Sequence, residues 1–143
     1  MSYFLDTNVI SEFQRLDPYE GVVTFLETVP ETDVYLSVIS VIELHRGAAQ
    51  LPLGRGRREL EAWLMVDVHE RFGQRILGVD GPTAVVCGRM LGARNLSSGI
   101  RRMMDFWLAA IAVQHDLTLV TRNVRDFQDT GVRLLNPWEV PAR

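Results

Sequence analysis

The chain has 143 residues, a net charge of −3 and 47% hydrophobic against 23% charged residues, the balance of a soluble globular protein. A length of this order suits one domain, expected to span residues 1–143, with roughly 68–70% of the unfolded surface buried on folding. No apolar run approaches the roughly 20 residues that cross a bilayer. The start MSYFLDTNVI has no basic leader, and the single cysteine, Cys87, has no intramolecular partner. The expectation is therefore a cytoplasmic protein.

The elements alternate between short apolar runs and longer stretches of helical period. Tyr3–Asp6 reads as a first strand, with helical pattern from Asn8 to Arg15, a break at Asp17-Pro18, and helix again over Tyr19–Val29. Val34–Ser37 is the second strand, Ser40–Leu51 a helix, and Pro52-Leu53-Gly54 a stop before a long amphipathic helix over Gly56–Glu70. A third strand is expected at Arg75–Val79, a helix at Gly81–Leu96 and a small-residue loop at Leu96–Gly99. A helix at Met104–His115, a fourth strand at Leu117–Thr121, a turn at Asn123–Phe127 and a strand at Val132–Leu135 complete the chain. This alternation predicts an α/β fold: a three-layer α/β/α sandwich around a central, mostly parallel sheet.

Ligands of such sheets sit beyond the carboxyl ends of the strands. Asp6 closes the first strand, Glu43 follows the second, and Thr121, Arg122 and Asn123 follow the fourth. Each acid also has a bland explanation. Asp6 is a good helix N-cap, Ser40 with Glu43 makes a capping box, and Asp105 could stabilise a helix start. Yet Asp105 lies in the apolar stretch Met103–Ala112, where a carboxylate needs a partner or a cation. Three carboxylates gathered at one sheet end repel strongly. Two unit charges about 4 Å apart cost roughly 4 kcal/mol at an effective dielectric near 20. A hard divalent ion relieves this, and the scattered His45, His69 and His115 argue against zinc. The cluster reads as a site for Mg²⁺ or Mn²⁺ and for phosphoryl chemistry. All fifteen cationic side chains are arginine. Arg101, Arg102 and Arg122 stand near the acids as candidate contacts for substrate phosphate, whereas Arg55, Arg57 and Arg58 fit a solvated helix face equally well. Trp63, Trp107 and Trp138 read as packing anchors. Val9, Ile10 and Phe13 fit either an open groove or packing on the sheet.

The segments Phe4-Leu5-Asp6-Thr7-Asn8, Ser37–Leu44, Asp105–Ala112 and Thr121–Phe127 resemble the PIN domain, most closely its VapC/FitB-type toxins of bacterial toxin–antitoxin pairs. The likeness runs essentially end to end and extends to Leu51-Pro52-Leu53-Gly54 and Trp63-Leu64. It implies an endoribonuclease dependent on Mg²⁺ or Mn²⁺, a cognate antitoxin, a homodimer, and operator DNA contacted only through the antitoxin. Asp6, Glu43 and Asp105 match the first three acids of the family, with Asp6 and Asp105, joined by Glu43, as metal ligands. Many members carry Asp where this chain has Asn123; the nearest acid here is Asp126, one helical turn on. The catalytic set implied is thus Asp6, Glu43 and Asp105, with Asn123 or Asp126 completing it. That departure leaves room for a second reading, a binding module of PIN fold with little nuclease activity that acts through its partner. Receiver domains, phosphoaspartyl phosphatases and P-loop proteins depend on a lysine that this chain lacks.

Overall fold

The computed structural model describes residues 1–94 and 99–139, and at Ile100 and Arg101 the backbone alone. Strand β1 (Tyr3–Leu5) leads into helices α1 (Thr7–Glu12) and α2 (Glu20–Thr28), then β2 (Val34–Ser37) and α3 (Val38–Ala49). A continuous helical stretch follows as α4 (Arg55–Ala62), a π-helical segment (Trp63–Asp67) and α5 (Val68–Phe72). Strand β3 (Ile76–Leu77), helices α6 (Gly81–Gly92) and α7 (Ile100–Gln114), β4 (Thr118–Val120), a 3₁₀ turn (Val124–Phe127) and β5 (Leu134–Leu135) complete the order. The five strands lie in the order β3-β2-β1-β4-β5, and every pairing is parallel.

Side-chain alternation along the central strands makes the layers. Leu5 and Val120 face a core shared with Val9, Ile10, Leu44 and Leu64, whereas Phe4 and Leu119 face the opposite core with Leu108, Ile111 and Phe127. Phe4, Leu5, Leu119 and Val120 are all fully buried, as expected of strands covered by helices on both sides. The α/β/α sandwich read from the sequence is therefore the observed architecture. Val9 and Ile10 belong to the core; of that trio Phe13 alone remains substantially exposed.

Local boundaries differ in ways that matter. Helix α3 begins at Val38, because the buried Ser37 side chain accepts from the Ile39 amide at 2.9 Å and caps it. Helix α7 begins at Ile100, four residues before the predicted start. The third strand shrinks to two residues behind a 3₁₀ turn (Gly73–Arg75), where Arg75 donates to the carbonyls of Glu31, Val34 and Arg71. Most of the expected Leu96–Gly99 loop lies outside the described residues.

The sheet order reverses beside β1. The chain steps outward to β2 and β3, then returns to place β4 on the other flank of β1. The crevice such a reversal opens at the carboxyl ends of β1 and β4 is where an α/β sheet binds ligands. Phe127, 1% exposed, pins the 3₁₀ turn that follows β4 to the core. Phe127→Ala is expected to cost about 3–5 kcal/mol in urea unfolding; a loss below about 1 kcal/mol would contradict this anchoring.

Candidate metal centre at the β1–β4 crevice

Asp6 directly follows β1 and caps α1. Its Oδ1 accepts from the Thr7 amide at 2.7 Å, and its own amide donates to the Val120 carbonyl at 3.0 Å, which locks it to β4. Its Oδ2 accepts from the Thr121 hydroxyl at 2.8 Å and lies 3.4 Å from the Asn8 side-chain nitrogen. Asn8 also donates to the Thr121 hydroxyl at 3.3 Å and accepts from the Arg122 amide at the same distance. Thr121, fully buried, therefore clamps the acid of one strand to the end of its neighbour. The sequence marks Thr121 only as a strand end, and no local signal reveals this clamp. Burial drives the Asp6 pKa upward despite the Thr121 and Thr7 hydrogen bonds, with the Asp126 charge adding to the rise.

Glu43 and Asp105 occupy matching places. With Ser37 as the cap, Glu43 is the sixth residue of α3; with Gly99 as the cap, Asp105 is the sixth of α7. Neither first turn contains an acid. The capping box at Ser40–Glu43 and the helix-start role for Asp105 are thus corrected, because the chain enters both helices earlier than local patterning indicates. Ser40, fully buried, instead accepts from the Thr7 hydroxyl at 3.0 Å and ties α3 to α1. Glu43 borders a groove of about 530 Å³ that runs past Thr7, Gln14, Glu59 and Trp63.

The Asp105 pKa is pushed up to about 6, first by burial, then by the charges of Asp126 and Asp6, with Glu43 adding a smaller push. The four acids therefore share one electrostatic field, although they reach it from three helical segments and a strand end. Asp126 is exposed on the 3₁₀ turn, and its charge acts on both Asp6 and Asp105. Asn123 is the exposed cap of that turn and donates its amide to the Thr121 hydroxyl at 3.0 Å.

Arg102 lies 3.9 Å from Asp105, but its guanidinium is bound elsewhere, to both oxygens of Asp129 at 2.9 Å and to the Asp126 carbonyl. It braces α7 against the 3₁₀ turn. Asp129 is held below the usual carboxylate range, chiefly by its hydrogen bond from Arg102. Arg122 is exposed with its guanidinium 5.4 Å from the Trp138 ring centroid. The Arg101 side chain lies outside the described residues.

Among the described residues, no three Asp, Glu, His or Cys side chains form a ready-made metal cage. What the acids offer is a negative field lined by oxygen donors, with two carboxylates destabilised as anions. That donor chemistry fits a hard divalent cation.

A PIN domain family model matches residues 3–132. The chain is 38% identical over 134 residues to toxin FitB of Neisseria gonorrhoeae, covering 94% of this chain and 96% of FitB. It is 31% identical over 135 residues to VapC ribonuclease Y4jK of Sinorhizobium fredii, covering 94% and 96%. A solved structure of FitAB bound to an IR36 DNA fragment superposes with a TM-score of 0.85 at 33% identity, over 99% of both chains.

Folding lifts the Asp105 pKa from 3.8 to about 6, so the folded state favours the protonated form. Ionised Asp105 consequently destabilises the metal-free protein. The penalty is absent below about pH 4, grows as pH rises, and is complete above about pH 6. With the side chain 25% exposed, solvent screening reduces it to about 1–2 kcal/mol. In EDTA, Asp105→Asn should match wild type in urea at pH 4 and exceed it by that amount at pH 7.5. Equal stability at both values would count against the crowding of charge.

Proposed function

The chain belongs to the PIN-domain family, and we propose that it is a metal-dependent ribonuclease, the toxin of a toxin–antitoxin pair. The observation that carries this reading is the gathering of acids at the β1–β4 crevice, where Thr121 clamps Asp6 at 2.8 Å and the charges of Asp126, Asp6 and Glu43 all bear on the half-buried Asp105. A fold gains nothing in stability from such crowding, and perturbed carboxylates of this kind cluster at functional sites.

In the proposed arrangement Asp6 and Asp105 hold Mg²⁺ or Mn²⁺, with Glu43 as a further ligand or as the group that faces water. The ion, when bound, supplies Lewis acidity toward a phosphodiester and toward water. Glu43 orients the attacking water and takes its proton on a carboxylate oxygen. Thr121 and Asn8 hold Asp6 in one orientation, a positioning role that hydrogen bonds to a ligating carboxylate commonly serve. Asp126 contributes the fourth negative charge, in place of the neutral Asn123. Arg122 and Arg101 are the proposed contacts for RNA phosphate, and the groove beside Glu43 gives the strand room. The cognate antitoxin and operator DNA reached only through it belong to the same proposal, supported by the likeness to toxin FitB and to FitAB bound to DNA; a homodimer and a cytoplasmic setting are proposed with them.

Purified, antitoxin-free protein should cleave structured RNA with Mg²⁺ or Mn²⁺ and stop in EDTA. Asp6→Ala or Asp105→Asn should lower the rate by about 100-fold or more, and Thr121→Val by about 10-fold, with circular dichroism unchanged. Intact RNA together with partner or DNA binding would favour the binding-module reading.

A further inference from the structure

Arg102 places a positive charge 3.9 Å from Asp105, beside the acids that the reading above reserves for a metal ion. Two carboxylates compete for this guanidinium, and Asp129 has the better geometry. Arg102 Nη2 donates to both Asp129 oxygens at 2.9 Å, and Nη1 donates to the Asp126 carbonyl. Arg94 Nε donates to the same Asp129 at 3.2 Å, and its Nη1 donates to the Met90 carbonyl at 2.7 Å. Both guanidiniums lie over the fully buried Phe106 ring, 5.2 Å from its centroid for Arg94 and 4.7 Å for Arg102. A planar fork gripped from two sides and seated on an aromatic ring is fixed in direction as well as in place.

We infer that Asp129 parks Arg102, drawing the guanidinium off the Asp105 carboxylate and keeping that carboxylate open to a divalent cation. The inference rests on the proposed metal centre. Asp129 touches neither ion nor substrate in this scheme; it is a positioning residue. Arg102 correspondingly contributes less to the Asp105 environment than Asp126 or Asp6 does, as a cation held at arm's length should. Without Asp129, the carboxylate nearest the Arg102 fork is Asp105. The fork would close on it, placing a permanent positive charge where the metal must enter.

The test titrates Mn²⁺ alone, without RNA, into the full chain by calorimetry. Wild type, Asp129→Ala, Arg102→Gln and the double variant are compared, and circular dichroism monitors folding. Asp129→Ala should weaken Mn²⁺ binding on the order of ten-fold. Arg102→Gln should bind at least as tightly as wild type. The double variant should recover to within about two-fold of wild type, since removing the fork removes the competitor. If Asp129→Ala fails to fold, Asp129→Asn keeps the volume and removes the charge, with the same weakening and the same rescue by Arg102→Gln expected. A mere brace between α7 and the 3₁₀ turn gives another pattern: both single variants weaken binding and the double is no better. That pattern overturns parking, as does unchanged affinity in Asp129→Ala when wild type binds Mn²⁺. Wild type that binds no Mn²⁺ overturns both parking and the metal centre beneath it.

Discussion

Repulsion among Asp6, Asp105, Asp126 and Glu43 is the constraint around which the crevice is arranged. Left to relax, such charges would turn outward into water, where their mutual energy falls to about 1 kcal/mol per close pair. The fold limits that by anchoring the backbone beside the acids, although Asp126 itself stays exposed. Asp6 is tied by its amide to Val120 and by its carboxylate to Thr121. Asp105 rides a helix whose next turns, Phe106 and Leu108 to Ala112, are buried in the core. Asp126 sits beside Phe127, which is buried in that same core. Packing energy on both faces of the sheet is what keeps the negative field in place.

The sheet's order explains why these particular positions meet. Because β4 pairs with β1 rather than with β3, the residues that follow each strand, Asp6 and Thr121, become direct neighbours although 115 positions apart. Helix α3 packs into one core through Leu44 and Ala48 and α7 into the other through Leu108 and Ile111, which Ile39 at the start of α3 also reaches. Their sixth residues, Glu43 and Asp105, each add a charge to one field. A second-turn carboxylate no longer serves the exposed amides of its own helix. In the second turn the Glu43 charge bears on Asp105 across the crevice.

Much of this was legible from residue pattern alone. The strand assignments follow from apolar runs, the α/β class from their alternation, Asp6 and Glu43 from their place after strands, and Asp105 from its apolar surroundings. The helix starts were not legible. Ser40 and Glu43 satisfy the capping-box pattern, but Ser37 lies one residue before the helix and is already buried as its cap, so tertiary position overrides the local motif. A dipole role for Asp105 requires a helix start near Met104, and the start of α7 at Ile100 removes it. The Thr121 clamp and the Asp129 grip on Arg102 join residues 115 and 27 positions apart, and nothing in either neighbourhood announces the other.

The absence of lysine takes a different meaning in three dimensions. Arginine-only composition fits phosphate-binding forks and a plain solvated surface equally, and many of the described arginines are engaged within the chain. Arg75 donates to three carbonyls, Arg133 grips Asp116 and its carbonyl, and Arg55, Arg57 and Arg71 pair with glutamates. A lysine ammonium offers no planar fork with which to satisfy two carbonyls or stack on Phe106 while gripping Asp129. Arginine here works first as an architectural donor that ties loops to the sandwich. The same property lets a cation stand 3.9 Å from Asp105 without neutralising it, since direction, and not distance alone, decides which carboxylate a guanidinium serves.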